Sequence, residues 1–245
     1  MARIDRAVLE RKPVQKIHRL AALGAMASLT VALAACGSSG MTSSGAAASA
    51  PAAAPATTAA PATAASTGST GVTTNADVFG PACNMLPQGD APGSLNNMGP
   101  NPVATAAGSN PLLTTLVTAV GKVPGLADTL NSQKAITVFA PYNGAFTAVQ
   151  KSIGDAKFNA LLANPAALGG VLSYHVIPKR YDAAGLVAAG KTTELAGGDV
   201  TIGGTATAPT ITDGAGNTAK VLCGNIPTSN ATVFVIDKVL TAKAS

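Results

Sequence analysis

The sequence predicts an α+β domain at residues 77–245, and three observations favour this class. All Phe and Tyr residues lie between Phe79 and Phe234, so a core of large side chains can form only there. Helical apolar spacing comes first and most strand patterns come last, without the alternation expected of a parallel α/β fold. The stretch 37–76 before the domain contains no charged residue and no apolar periodicity.

The helical patterns begin after Asn110, the expected N-cap, with Pro111 at the first helical position. Apolar residues then recur at helical spacing, namely Leu112, Leu113, Leu116, Val117 and Val120. We expect this helix to end at Gly121 and a shorter one to follow Pro124. ITVFAP reads as a buried strand that Pro141 stops, and YNGAFTAVQ as a helix start. DAKFNALLANPAALGGVLSYHVIP predicts two helices that run into a strand at Tyr174–Ile177.

The strand patterns dominate the C-terminal part. TTELAGGDVTIGG and TITDGAGNTAKVL have Gly-Gly and Asp-Gly turn signals and predict two hairpins. ATVFVIDKVL predicts a long closing strand. Because side chains alternate along a strand, two sets should face opposite sides: Val233, Val235 and Asp237 on one, and Phe234, Ile236 and Lys238 on the other.

Three of these segments together resemble a known family. ITVFAPYNGAF, LSYHVIP and ATVFVIDKVL resemble the first conserved box, the tyrosine–histidine motif and the second conserved box of the fasciclin domain. The resemblance implies a wedge-shaped β-sandwich of about seven strands covered by several helices. It also implies adhesion or surface interaction rather than catalysis.

The N-terminus resembles a bacterial lipoprotein leader. A basic segment precedes the uncharged run 20–35, which is shorter than the roughly 20 residues of a spanning helix. The run ends in LAAC, which resembles a lipobox, so we predict a signal peptide at 1–35 and lipid attachment at Cys36. An ordinary signal peptide and an uncleaved anchor are the alternatives. Two or more acyl chains, such as palmitate, would make membrane attachment stable.

The remaining cysteines are Cys83 and Cys223. In the oxidising compartment that an exported protein reaches, we expect them to form a disulfide, with two buried free thiols as the alternative. With the lipobox and the stalk, this layout is similar to mycobacterial single-fasciclin-domain lipoproteins and secreted antigens.

Residues 36–76 predict a disordered stalk rich in Ala, Ser, Thr and Pro. Such tracts are also typical of O-glycosylated stalks, and Thr57 and Thr58 are possible acceptors. An unmodified spacer accounts for the composition equally well. Asn230-Ala-Thr232 matches the N-glycosylation triplet, but in a bacterial lipoprotein we treat this match as chance.

The net charge of +5 comes mainly from the leader, so it does not indicate a nucleic-acid partner for the rest of the chain. Six of the 16 basic and two of the 11 acidic residues lie in 1–35, which leaves 10 against 9. A basic stripe that could follow a phosphate backbone is therefore not expected.

The sequence also contains no G-x-S-x-G, HExxH, Walker or strand-linked GxGxxG motif, so we expect no enzyme activity, metal or cofactor. His175 is the only histidine after the leader. We expect it to be a neutral, hydrogen-bonded structural residue on an apolar strand, with binding-surface and catalytic roles as the alternatives.

Tyr174, His175, Asn143 and Asp237 are the structural motif residues. The first fasciclin box usually carries a small hydroxyl residue where this chain has Tyr142, so we expect Asn143 to cap the following helix instead.

The predicted function is that of a monomeric, non-catalytic, lipid-anchored protein on the extracytoplasmic side of the cell membrane. Its domain would mediate adhesion or protein interaction with an unknown protein or glycan partner. An envelope carrier of glycans or small molecules is the alternative, and it requires an apolar pocket.

Overall fold

The computed structural model describes residues 71–243, and this part has the predicted α+β architecture of seven strands covered by helices. The eight α-helices are α1 Leu95–Met98, α2 Val103–Ser109, α3 Thr114–Gly121, α4 Leu126–Ser132, α5 Asn143–Ile153, α6 Asp155–Leu162, α7 Pro165–Ser173 and α8 Ala183–Ala189. The strands are β1 Ile136–Pro141, β2 Val176–Ile177, β3 Lys191–Thr193, β4 Asp199–Thr205, β5 Ala208–Thr212, β6 Thr218–Pro227 and β7 Ala231–Ile236.

The seven strands are hydrogen-bonded in the order β2-β1-β7-β6-β5-β4-β3. Only β1 and β7 are parallel, whereas the other neighbours are antiparallel. The long strand β6 joins the two halves, because its first residues pair with β5 and the segment from Val221 pairs with β7. Two register shifts interrupt β6, and Asn225 within it has a positive φ of 57°. The bulged strand therefore changes direction between the halves.

The two faces of β1 and β7 build two cores. Val138, Val233 and Val235 pack in a cluster with the helices α2 to α7. Phe139 and Phe234 point the other way and pack with side chains of β4, β5 and α8. Their rings lie 6.1 Å apart, an edge-tilted contact between neighbouring parallel strands. The alternation predicted for the last strand is present up to Ile236, where β7 ends before Asp237 and Lys238.

Both hairpins form as predicted, β3–β4 and β5–β6. The segment after Asn110 differs in detail, because Pro111–Leu113 forms a 3-10 turn before α3 begins. Asn110 caps this turn by accepting a hydrogen bond from the Leu112 N–H. The helices α1, α2 and α8 have no counterpart in the predictions. Each is no longer than seven residues, too short for a clear helical period.

The predicted strand Tyr174–Ile177 is wrong in its first half. Helix α7 continues to Ser173, Tyr174 is its C-cap with helical φ and ψ of −68° and −12°, and β2 contains only Val176–Ile177. Tyr174 and His175 therefore lie in the turn between α7 and β2.

Residues 71–76 pack against the domain, before the predicted boundary at residue 77. The Gly71 carbonyl accepts a hydrogen bond of 2.6 Å from Thr232 Oγ1, and Thr73 is buried. Cys36, Thr57, Thr58 and the leader lie outside the described residues. Between residues 71 and 243 no single helix has the length and apolarity to cross a membrane; α2 and the segment Pro111–Gly121 reach that threshold only as a pair bent by 100°.

Candidate functional site

His175 is buried in the turn after α7 and uses both ring nitrogens. The Leu240 N–H donates to Nε2 at 2.8 Å, so Nε2 carries a lone pair. Nδ1 lies 2.7 Å from the Val171 carbonyl and must be the protonated nitrogen of a neutral ring. Burial lowers the pKa of His175 to about 4, although the Val171 carbonyl and Asp213 act in the opposite direction. An added proton on Nε2 would also face the Leu240 N–H. The imidazole thus fastens the C-terminal segment to α7 and has no free lone pair to act as a base.

Tyr174 is buried beneath the turns of both hairpins. Its hydroxyl donates to the Asp199 carbonyl at 3.0 Å and accepts from the Gly214 N–H at 2.8 Å. Two glycines next to Tyr174 leave no room for a side chain. A Cβ at Gly198 would lie 2.3 Å from the Tyr174 ring, and a Cβ at Gly214 would lie 3.0 Å from the Tyr174 hydroxyl. Tyr174 therefore ties the β3–β4 and β5–β6 hairpins to the end of α7.

Asp213 closes this cluster from the β5–β6 turn. Its carboxylate accepts five hydrogen bonds, from the Ala215 N–H, the Asn217 N–H and amide, and the Thr241 N–H and hydroxyl. Burial raises the pKa of Asp213, but the hydrogen bonds from Thr241 and Asn217 lower it more, so the pKa lies below its ordinary value. The DGAGN turn and the C-terminal segment are thereby held together by an ionised carboxylate.

The chain matches the model of the Fasciclin domain over residues 111–242, which is more than half of its length. The chain belongs to the fasciclin domain family. Its fasciclin domain is similar to "Immunogenic protein MPB70" of Mycobacterium bovis, with 39% identity over 170 residues covering 67% of this chain and 82% of the relative. It is also similar to "Cell surface glycolipoprotein MPT83" of Mycobacterium tuberculosis, with 36% identity over 185 residues covering 68% and 76%.

A solved structure with the same fold is the FAS1 domain pair from the insect cell adhesion molecule Fasciclin I. The TM-score is 0.51 at 16% identity, and the match covers 58% of this chain and 51% of that one. At this identity the likeness concerns the fold alone. The seven strands and covering helices predicted from the three sequence boxes are confirmed.

Asn143 does not cap α5, contrary to our prediction. Tyr142, in extended conformation, occupies the N-cap position without a side-chain hydrogen bond, and Asn143 is already helical. The Asn143 side chain turns instead to the preceding segment, where Oδ1 accepts from the Thr115 N–H at 3.0 Å and Nδ2 donates to the Pro111 carbonyl at 2.9 Å. Asn143 thus caps α3 of the fasciclin domain, because Thr115 is in the first turn of that helix.

Asp237 lies just beyond β7 and pairs with β6. Its carboxylate accepts from the Lys220 N–H at 2.8 Å, and its own N–H donates to the Lys220 carbonyl at 3.1 Å. Asp237 therefore extends the pairing of β6 and β7 by one backbone hydrogen bond and one side-chain hydrogen bond, both to Lys220. Its role in the fasciclin fold is structural.

Cys83 and Cys223 are joined by a disulfide, with Cα atoms 5.0 Å apart and 140 positions between them in sequence. Cys83 lies in a short 3-10 turn near the N-terminus of the domain, and Cys223 lies in β6. A bridge across so many residues restricts the unfolded chain strongly. It holds the N-terminal segment on the strand that joins the two halves of the sheet.

Two buried side chains are important here but were not predicted. Arg180 donates to the carbonyls of Thr228 and Ala231 and to the Thr232 hydroxyl. Asn230, the first residue of the glycosylation triplet, accepts from Val103 N–H and donates to carbonyls at the end of α4. The Asn230 amide is therefore engaged inside the fold. Nothing local in the sequence indicates either role, since both depend on contacts distant in sequence.

Glu194 is a third residue that sequence reasoning missed. It lies in the β3–β4 turn with 2% of its surface exposed, and neither carboxylate oxygen has a hydrogen-bond partner among residues 71–243. Burial raises the pKa of Glu194 to about 7; the residue's own backbone N–H opposes this shift in part, and the charge of nearby Asp199 adds to it. A buried carboxyl of this kind makes the hairpin sensitive to pH.

The arrangement as a whole offers scaffold interactions. In the part of the chain that the structure describes, no three His, Cys, Asp or Glu residues are placed to hold a metal ion. The polar groups of Tyr174, His175 and Asp213 are directed at the backbone of neighbouring segments. Their combined effect is to lock α7, two hairpin turns and the C-terminus into one body.

Proposed function

We propose that this chain is a non-catalytic, lipid-anchored cell-surface protein whose fasciclin domain mediates adhesion or protein interaction at the bacterial envelope. The observation that carries the proposal is the 36% identity to a protein named as a cell surface glycolipoprotein, across 76% of that protein. The similarity covers 68% of this chain and supports a surface role for the domain.

The chemistry of the motif supports a binding role over catalysis. A general base needs a lone pair within hydrogen-bond reach of a substrate proton, at a pKa near the working pH. His175 has both nitrogens occupied and a pKa of about 4. Asp213 has its carboxylate engaged by five donors. The hydrogen bonds of His175 and Asp213 stabilise the fold and leave neither group free to act as a general base.

The lipid anchor rests on LAAC at residues 33–36. A thioether-linked diacylglyceryl group on Cys36, with or without an acyl group on its amino nitrogen, would attach two or three hydrocarbon chains to one residue, and each buried methylene contributes about 0.8 kcal/mol to membrane binding. The stalk would then separate the domain from the bilayer. Its Thr57 and Thr58 remain proposed glycan acceptors.

Membrane attachment can be tested with a substitution and a matched control. Full-length protein should partition into the detergent phase and be cleaved by protease added to intact cells. Cys36→Ser should move the protein to the aqueous phase, whereas the double variant Cys83→Ser/Cys223→Ser should remain with detergent. Equal partitioning of Cys36→Ser and wild type would contradict the anchor.

Interaction can be tested separately with the chain lacking residues 1–36. Biosensor binding to intact envelope fractions, host cells and matrix proteins should be saturable and competed by unlabelled protein. Heat-unfolded protein is the control. No saturable binding to any of these surfaces would contradict an adhesion role while leaving the anchor intact.

The alternative function, an envelope carrier, is favoured by one specific observation. The helical side of the domain contains an apolar cavity of ≈170 Å³. A glycan site would need several convergent polar groups, and this cavity has an apolar lining around a single imidazole. The ligand class that follows from this lining is developed below.

A further inference from the structure

An apolar cavity lies between the helices and the sheet in the part of the chain that the structure describes. Its volume is ≈170 Å³, and it is bounded by α2, α3 and α4 on one side and by β1 and the end of α7 on the other. Two further apolar voids measure only ≈10 and ≈20 Å³, about the space of a single water. The large cavity is therefore of a different kind from an ordinary packing defect.

The cavity reaches the surface of the domain. Val138 lies at its floor on strand β1 and keeps 8% of its surface accessible, whereas Ile136 and Ala140 on the same strand face keep 1% each. Leu116 from α3 is similarly accessible at 8%. Gly121, at the end of α3, is exposed and lines the opening. A small molecule can thus enter from solvent and contact the sheet.

The lining selects hydrocarbon over water and over polar ligands. His175 provides its only polar side chain, and both nitrogens of that ring already have partners. A buried water needs two to four polar partners, which this lining does not supply, and an enclosed apolar cavity of about 150 Å³ is large enough to bind benzene.

From these observations we infer that the cavity is a binding site for a short hydrocarbon group of about benzene size, such as the end of an acyl chain. The hydrocarbon enters between α2, α3 and α4 and contacts Val138, while its polar end stays in water at the opening. The site goes beyond the proposed adhesion role and does not depend on it. The acyl chain can come from a free lipid or from the protein's own anchor.

The test uses 1-hexanol as probe, with glucose as polar control, and full-length Cys36→Ser protein, which carries no lipid at that position. Methyl NMR signals of Val138 and Leu116 should shift saturably with hexanol, with a dissociation constant of about 1 mM or tighter. Glucose should cause no shift. Absence of a saturable shift up to the solubility limit of hexanol would overturn the inference.

Gly121→Leu provides the blocking variant. A Cβ at Gly121 meets no atom within 4 Å, so the position has room for a side chain, and we expect a leucine there to cover the opening. Gly170→Leu is the matched control, because Gly170 is also helical, exposed and unobstructed but lies outside the lining. Hexanol binding should weaken at least about tenfold in Gly121→Leu and stay unchanged in Gly170→Leu.

Equal binding by wild type and Gly121→Leu, or an equal loss in Gly170→Leu, would overturn the assignment. Ala107→Ile, which fills the cavity from α2, is the second blocking variant should Gly121→Leu fail to fold. The lipidated wild-type chain distinguishes the two sources of hydrocarbon. If its own acyl chain occupies the cavity, the Val138 methyl signals are already shifted and hexanol binds only Cys36→Ser; if free lipid is the ligand, both chains bind hexanol.

Discussion

Acidification of the folded protein should leave His175 neutral far below the pH at which a free histidine gains its proton. The folded pKa is about 4 against an ordinary value of 6.5. Because the folded pKa is the lower one, the stability that neutral His175 contributes is complete above pH 6.5 and is lost as pH falls towards 4. A pKa difference of about 2.5, at about 1.4 kcal/mol per unit, corresponds to roughly 3 kcal/mol.

The direct assay is NMR titration of the imidazole in His18→Gln protein, in which His175 is the only histidine. The ring carbon-bound proton signals should stay constant from pH 8 to about 5. The nitrogen chemical shifts of the imidazole should show that Nδ1 is protonated and Nε2 is not, as the contacts with Val171 and Leu240 require. Titration of folded protein with a midpoint near 6.5, or the opposite tautomer, would refute the reasoning.

Urea unfolding of three further variants tests the contributions of the disulfide, Glu194 and Tyr174 to stability. Cys83→Ser/Cys223→Ser should lower the free energy of unfolding by about 4–5 kcal/mol through the 140-residue separation, and no loss would contradict the bridge. Glu194→Gln should raise stability above pH 7 and remove the loss that wild type suffers as pH rises from 4.5 through about 7; an unchanged pH profile would argue against a buried carboxyl. Tyr174→Phe should cost about 1–3 kcal/mol because the Gly214 N–H loses its acceptor, whereas Tyr181→Phe, whose hydroxyl makes no hydrogen bond to the described protein, should be nearly neutral.

Glu194 and His175 act in opposite directions over the same pH range. Between pH 7 and 4.5 the Glu194 carboxyl gains its proton more readily in the folded state, while His175 resists protonation. The overall acid response of wild type is therefore flatter than either group alone would produce. In the Glu194→Gln background the loss of stability caused by His175 should become visible in full.

The strands were predictable because their burial pattern is local. β1 and β7 are mostly apolar runs with one buried threonine each, and their alternating apolar side chains divide between the two cores as the period of two requires. The hairpin turns also carry their own signals, in AGGD and DGAGN. Short-range chemistry determines these elements.

The end of α7 was mispredicted because tertiary contacts decide it. LSYHVI is short and carries no clear helical or alternating period, so periodicity alone cannot distinguish a strand from the last turn of a helix. In the fold, the helical turn at Tyr174 lets its hydroxyl reach Asp199 and Gly214, and brings the His175 ring to Leu240. Those partners lie 25 to 65 positions away along the chain.

Asn143 shows the same limit for capping. An asparagine next to a helix start predicts an N-cap, but it does not say which helix is capped. Here α3 lies against α5, so the Asn143 amide satisfies Thr115 instead of its own helix. The sequence pattern could not predict the cavity either. The cavity exists because the small residues of α2 and α4 that face Val138 do not fill the space between these helices and β1.

Intact-mass spectrometry of protein extracted from cell membranes tests the central claim of a lipid-held surface module most directly. The account predicts a mature chain that begins at Cys36 and carries two or three fatty acyl groups on that residue, with the Cys83–Cys223 bridge intact. A mature chain that begins elsewhere, or one that begins at Cys36 without fatty acid, would contradict it.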